Sequence, residues 1–293
     1  MRNNRTAPDK TGQLWVVATP LGNLGDFSPR AGEILTLADC VLAEDTRRAR
    51  LFFAACGIKA RALMSLHEHN ELERLAAILS ALAQGKNFAL ISDAGTPLYS
   101  DPGYRLVRAC RERGYKVVPV PGPSAPLAAL CASGLPPQPS VFLGFLPRKK
   151  GDLRVFIQPY ARLPATLVFF ERKDRLKNSL ALLYEFCGER ELCIARELTK
   201  VFEEFMFFQL RDFAAVPDDL LGELTVLLGP PGDKPRSSAA ELLLLLREAG
   251  PEAGKPRSLA KKLYARTTGW SVDELYTFIL LSRSAIKKDN MDP

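Results

Sequence analysis

The chain has 293 residues, 47% of them hydrophobic, enough for two ordinary domains with their own cores plus a small appendage; this excludes a disordered or fibrous protein. Its formal net charge is +7, and no apolar run long enough for a signal peptide or a membrane span follows the polar, basic stretch from Met1 to Gln13, so a cytoplasmic location is expected. The six cysteines are scattered without a CxxC pair, which reads as buried reduced thiols and neither a disulfide framework nor a zinc site.

From Leu14 to Val120 short β-rich runs alternate with amphipathic helical stretches, a pattern that implies a mostly parallel sheet flanked by helices. Strands are predicted at Leu14–Ala18, Cys40–Ala43, Phe88–Ile91 and Lys116–Val120. Ser28-Pro29 supplies an N-cap and a first-turn proline, Asn70 with Glu73 resembles a capping box, and Asp101-Pro102 repeats the first device. Gly57, Gly85 and Gly114 stand where helices stop.

A proline-rich passage through Pro119–Pro123 and Pro136–Pro139 leads to a second unit. There strands are predicted at Val141–Leu146, Thr166–Phe170, Leu192–Ala195, Glu203–Leu210 and Leu224–Leu228, with one helix from Arg175 to Phe186. So strand-heavy an order implies a mixed or antiparallel sheet. After Gly229-Pro-Pro-Gly232, the runs Ala239–Ala249, Leu259–Thr267 and Val272–Ser282 carry helical patterns and read as a small helical module. The expected division is therefore 12–122, 123–233 and 234–293.

The first strand enters Ala18-Thr-Pro-Leu-Gly-Asn-Leu-Gly-Asp26, where glycines let a ligand approach the backbone; a plain turn explains the loop equally well. Ser92–Gly103 says more, because a polar, glycine-bearing loop directly after a strand belongs in the ligand crevice of an open α/β sheet. Asp93 can accept ligand hydrogen bonds there, and Ala94 and Gly95 leave room for an adenosine, whereas Asp101 reads more simply as a helix cap. Glu44 and Asp45 end a strand and begin a helix, so capping competes with a site role. His67 and His69 lack further ligands at metal-binding spacing; no metal is expected, and an acid/base or substrate-binding role suits them better. Between Arg148 and Lys177 nine Lys/Arg face three acids, a local surplus suited to a polyanion.

Taken in order, TPLGNLGD (19–26), AEDTR (43–47), HEHNE (67–71), SDAGTPLYSDPG (92–103), PGPSA (121–125), GFLPRKK (144–150), ARELTK (195–200), FEE (202–204) and GE (222–223) resemble the small-subunit rRNA cytidine-2′-O-methyltransferase family, ribosomal RNA small subunit methyltransferase I, of the tetrapyrrole methylase superfamily. The resemblance covers about Leu14 to Gly229, with a weaker echo in Ser258-Leu-Ala-Lys261 and Glu274-Leu-Tyr276. It implies an α/β, two-lobed tetrapyrrole-methylase-like fold with a mostly parallel N-terminal sheet and a mixed C-terminal sheet. It also implies S-adenosyl-L-methionine between the lobes, a homodimer, and a substrate cytidine in the decoding region of 16S rRNA. Carried over by position, the cofactor contacts are Pro20, Asp93, Ala94, Gly95 and Ser124.

Because a ribose hydroxyl is a poor nucleophile until its proton leaves, a base is expected, with Asp45, Glu44 and His67 as candidates. Arg148, Lys149, Lys150, Arg154 and Arg175 are expected to hold RNA phosphates. Two runs depart from the family pattern: Phe170-Glu-Arg-Lys-Asp-Arg175 replaces a Phe-Glu-Ser-Pro-His-Arg-like run, and Phe205-Met-Phe-Phe-Gln209 replaces a Gly-rich turn. The competing readings are a superfamily methylase acting on a tetrapyrrole or diphthamide precursor, and an inactive RNA-binding assembly factor.

Overall fold

The computed structural model describes residues 11–232, 238–249, 255–264, 266–267, 270 and 272–289, the last seven by backbone alone. The polar Met1–Lys10 stretch and the boundary expected at 233/234 lie outside the described residues. By compactness the chain divides into Met1–Pro230 and Pro231–Pro293.

The first unit opens with β1 (Gln13–Val17), α1 (Pro29–Leu37), β2 (Cys40–Ala43), α2 (Thr46–Cys56), β3 (Leu63–Ser65), α3 (Glu71–Ala83), β4 (Phe88–Ile91), α4 (Tyr104–Glu112) and β5 (Lys116–Val120). The five strands form a parallel sheet in the order β3-β2-β4-β1-β5. Strands β2 and β4 are apolar throughout because both faces are covered. Alternation divides each strand between the two cores. Phe88 and Leu90 of β4 and Cys40 and Leu42 of β2 pack with Ile78, Leu82 and Leu106 of α3 and α4. Ala89, Ile91, Val41 and Ala43 meet Ala31, Leu35 and Phe53 of α1 and α2 on the opposite face. Neighbouring β1 and β4 thus send their following helices to opposite faces. A crevice opens at such a switch point, at the carboxyl ends of the strands.

The chain continues through α5 (Ala125–Ala132), β6 (Ser140–Phe145), α6 (Lys150–Ile157), β7 (Thr166–Glu171), α7 (Leu176–Cys187), β8 (Arg190–Arg196), β9 (Glu204–Gln209) and β10 (Leu224–Pro231). These strands make a mixed sheet in the order β6-β7-β10-β8-β9, parallel between β6 and β7 and antiparallel between β7 and β10 and between β8 and β9. Leu167, Phe169, Ile194 and Val226 face α6 and α7, while Val168, Cys193 and Leu227 face α5. Fully buried Arg190 ties the start of β8 to the carbonyls of Ala161, Ala165 and Gly229. The second unit holds α8 (Ala239–Ala249), α9 (Pro256–Tyr264) and α10 (Val272–Asp289), packed through Leu242, Leu259, Leu263, Leu275 and Ile279.

Strand positions follow the apolar runs to within two residues at most ends, whereas β10 runs on to Pro231, and β3 and α6 do not stand out in the sequence. The capping devices fare less uniformly. Gly57 takes its expected place in the left-handed turn after α2, and Ser28 stands at the N-cap of α1 with Pro29 behind it but makes no side-chain cap hydrogen bond. Asn70 precedes α3 but directs its carbonyl to the His67 amide at 2.9 Å and makes no side-chain cap. Asp101 does not cap α4, whose N-cap is Gly103; buried Glu71 instead accepts the Leu106 amide at 2.9 Å, which leaves Asp101 without a capping duty. The Gly-rich turn that Phe205–Gln209 displaces is here part of the edge strand β9.

Candidate active site

Four loops at the carboxyl end of the first sheet converge. The β1–α1 loop is locked to the β4–α4 loop by paired backbone hydrogen bonds between Thr19 and Gly95, of 2.8 and 3.1 Å. The Thr19 hydroxyl adds contacts to the carbonyls of Ser92 and Gly95. Gly95 has φ +78°, a conformation that favours glycine, and a Cβ there would stand 3.0 Å from Leu21 Cδ2, which would have to give slightly. Thr96 donates to the Pro123 carbonyl at 2.9 Å, which draws the β5–α5 turn and Ser124 to the same place.

Between these loops and the second sheet lies a cleft of about 470 Å³. Asp93, Ala94, Gly95 and Ser124, the residues expected to contact the cofactor, line it; Ser124 makes no side-chain cap to α5. Pro20 is buried behind the cleft, and its neighbour Leu21 lines the wall. Also at the wall is Asp101, which sequence reasoning set aside as a cap. Burial raises its carboxyl to about 7, the charges of Glu44 and Asp93 add to the rise, and a hydrogen bond from Ser92 opposes it. No local sequence signal singles it out, because the residue that relieves it of the cap, Glu71, belongs to another helix.

An adjoining pocket of about 450 Å³ shares Arg48 and Asp93 with the cleft and brings together Glu44, Asp45 and His67. Asp45 caps α2, accepting the Arg47 amide at 2.8 Å, and also takes the Arg47 guanidinium at 2.8 and 3.1 Å. Those donors hold its carboxyl far below the usual carboxylate range, so it is poorly suited to accept a proton. Glu44 is shifted upward, first by burial and then by Asp93, with Arg48 and His67 opposing. His67 Nε2 lies 3.1 Å from the Asn70 amide nitrogen, and its buried Nδ1 has no partner among the described residues. Asp93 accepts the Asp45 amide at 3.3 Å and pairs with Arg48 at 3.2 Å, so its carboxylate braces the two pockets against each other.

The basic segment separates into two kinds of residue. Arg148, Lys149 and Arg154 are exposed and carry no acidic partner among the described residues. Lys150 is paired with Glu185 at 2.8 Å. Arg175, expected to hold phosphate, is turned inward: it donates to the carbonyls of Leu146 and Pro147 and pairs with buried Glu171 at 3.5 Å, so its guanidinium holds the β6–α6 loop instead. Across the cleft, Lys200 packs its stem against Gly22 while its ammonium bridges Glu197 and Glu223 at 2.9 and 3.1 Å, joining three of the sequence motifs.

The model of the Tetrapyrrole (Corrin/Porphyrin) Methylases matches residues 13–214, most of the first unit. A ribosomal RNA small subunit methyltransferase I from Mesorhizobium japonicum is 46% identical over 271 residues, 91% of each chain. Another from Escherichia coli O157:H7 is 39% identical over 289 residues, 96% of this chain and 99% of that one. The chain belongs to the ribosomal RNA small subunit methyltransferase I family, within the tetrapyrrole methylases. It is accordingly a methyltransferase. Among solved structures, the methyltransferase CobJ aligns with a TM-score of 0.57 at 22% identity, covering 76% of this chain and 96% of that one. Uroporphyrin-III C-methyl transferase from Thermus thermophilus, complexed with S-adenyl homocysteine, aligns with a TM-score of 0.54 at 18% identity over 74% and 97%. These two likenesses concern the fold. Among the described residues no helix is long and apolar enough to cross a membrane.

Proposed function

We propose that the chain is an S-adenosylmethionine-dependent methylase of small-subunit ribosomal RNA, acting on the 2′-oxygen of a cytidine ribose in the decoding region. The observation that carries the reading is full-length kinship with proteins named for that RNA, joined to a cleft whose chemistry suits the cofactor. The cofactor is cationic at its sulfonium and its ammonium, and Asp101 and Asp93 place carboxyl groups on the cleft wall. Gly95 allows close approach to the backbone, and the aliphatic lining from Leu21, Ala125, Pro126 and Leu224 suits an adenine ring.

When bound, the cofactor supplies an activated methyl group. The residues of the chain then have three tasks. Asp101 and the loop 93–95 hold the cationic ligand and orient it by charge and backbone contacts. Glu44, already shifted toward proton uptake, is the acceptor of the hydroxyl proton, with His67 beside it; Asp45 serves as the cap that fixes their pocket. Exposed Arg148, Lys149 and Arg154 hold phosphates and so position the RNA without reading its sequence. A homodimer and a cytoplasmic setting belong to the same reading.

The test is to map 2′-O-methylation in small-subunit rRNA from cells with and without the gene, and to measure cofactor binding by calorimetry. A single cytidine losing its methyl on deletion and regaining it with the purified chain is the expected result. A tetrapyrrole methylase would leave the rRNA pattern unchanged, and an inactive assembly factor would bind no cofactor.

A further inference from the structure

At the mouth of the cleft, four aromatic rings form a continuous ladder that the cofactor reading does not use. Tyr99 stacks on Phe142 with centroids 4.8 Å apart and an interplanar angle of 20°. Phe142 meets Phe170 edge-on at 5.1 Å, and Phe145 leans on the other side of Phe170 at 5.4 Å. The outer members are open: Tyr99 is 49% exposed and Phe145 55%, and both line the cleft.

Two features of the backbone hold the ladder in place. Phe142 and Phe145 are three residues apart, so regular alternation would point them to opposite faces of the sheet. The register of β6 against β7 shifts between these two residues, and that irregularity brings both rings onto Phe170. On the other strut, Leu98 and Ser100 flank Tyr99 with φ of +73° and +72°, a conformation that side-chain-bearing residues rarely adopt. Gly144, at φ +66°, lies against this loop: a Cβ there would stand 3.2 Å from Ser100 Oγ. The chain thus accepts local strain and keeps large apolar rings in water beside its cleft. Both are expected where the rings have a ligand to cover.

Charge around the ladder indicates which ligand. Arg148 and Lys149 follow Phe145 by three and four residues, exposed and without acidic partners among the described residues, and Lys173 at the cleft wall is likewise unpaired. Open rings beside free cations are the arrangement that receives an unstacked base together with its flanking phosphates.

We infer that Tyr99 and Phe145 form a stacking shelf for an unpaired nucleobase of the RNA substrate, adjacent to the reacting ribose and separate from the cofactor's own contacts. The inference rests on the rRNA reading above and adds to it the residues that receive the base.

The experiment uses the full chain, small ribosomal subunits lacking the modification as substrate, and S-adenosylmethionine. Wild-type methyl transfer is measured first; its absence would overturn the rRNA reading itself. With transfer established, Tyr99→Leu and Phe145→Leu are compared with Tyr99→Phe and Phe145→Tyr. Loss of one stacked ring should raise the KM for subunits about 5- to 100-fold. Cofactor affinity by calorimetry should stay within about twofold, and the ring-retaining variants should behave like the wild type. Leucine keeps the apolar volume, and a melting curve for each variant registers any loss of fold. An unchanged KM overturns the shelf, and a parallel loss of cofactor affinity reassigns the rings to the adenine.

Discussion

Asp45 and Asp101 are both aspartates near the crevice, yet their surroundings push them in opposite directions. Asp45 is neutralised by an amide and a guanidinium, whereas Asp101 is half-buried beside two other acids with one hydroxyl donor. In the ligand-free protein Asp101 keeps its proton up to about 7, while in the unfolded chain an aspartate titrates near ~3.9. The folded state therefore binds more protons between those values, and stability falls as pH rises through that window. Asp101→Asn should be more stable than the parent at pH ~8, with the two melting curves converging toward pH ~4. Binding should show the opposite benefit of the charge. A cationic cofactor prefers the carboxylate, so its affinity should fall by up to about tenfold per unit as pH drops below the Asp101 pKa, and calorimetry should find that slope missing in Asp101→Asn. Glu44→Gln and His67→Gln should slow single-turnover methylation by about 10²- to 10⁴-fold at saturating cofactor, the range for loss of a general base. Asp45→Ala should chiefly lower the melting temperature; a turnover loss as large as that of Glu44→Gln, in folded protein, would return the base assignment to Asp45.

At the scale of elements, the sequence reveals what repeats and hides what is solved by distant partners. Cys40–Ala43 and Phe88–Ile91 were legible because short apolar runs bounded by turn residues need both faces covered, and Lys116–Val120 because a β-branched run follows a helix-stopping glycine. β3 has three half-buried residues and no such run, and α6 is one short helix within a basic segment, so neither stands out. The cleft loop was legible from its position after β4. The duty of Asp101 was not, because Glu71 takes the capping role at α4 from 35 positions away in sequence. The inward placement of Arg175 was not legible for a similar reason: its partners are the backbone carbonyls of a separate loop. Gly95 is the element-scale test. Because its positive φ also carries the Thr19 bridge, Gly95→Ala should cost about 1–2 kcal/mol of stability as well as cofactor affinity. Unchanged denaturation midpoint and affinity would show that the loop re-forms without its left-handed turn.

Considered whole, the first unit separates its charges. Acids gather at the crevice, where a cation is to be held, and unpaired bases stand on the exposed β6–α6 segment, where a polyanion can reach them. Ion pairing decides which cations can contribute to RNA binding. A cation already matched to an acid releases fewer counterions when phosphate arrives, and one whose guanidinium is spent on buried carbonyls releases none. Arg148, Lys149 and Arg154 are therefore the residues whose charge should appear in the salt dependence, with Lys150 contributing less through its pair with Glu185. Replacing those three by glutamine should weaken binding to small subunits and reduce the slope of log affinity against log salt by about 2–3 units, since each phosphate contact contributes roughly 0.7–0.9. Cofactor affinity should not change, because these side chains are absent from the cleft wall. Arg175→Gln should do the reverse, lowering the melting temperature by freeing the β6–α6 loop and leaving buried Glu171 without its cation, held only by the Ser179 hydroxyl and the Arg172 amide, while the salt slope stays nearly as it was. If the triple variant keeps the wild-type slope from 50 to 300 mM salt, roughly the range over which counterion release is large, the RNA path lies on another face.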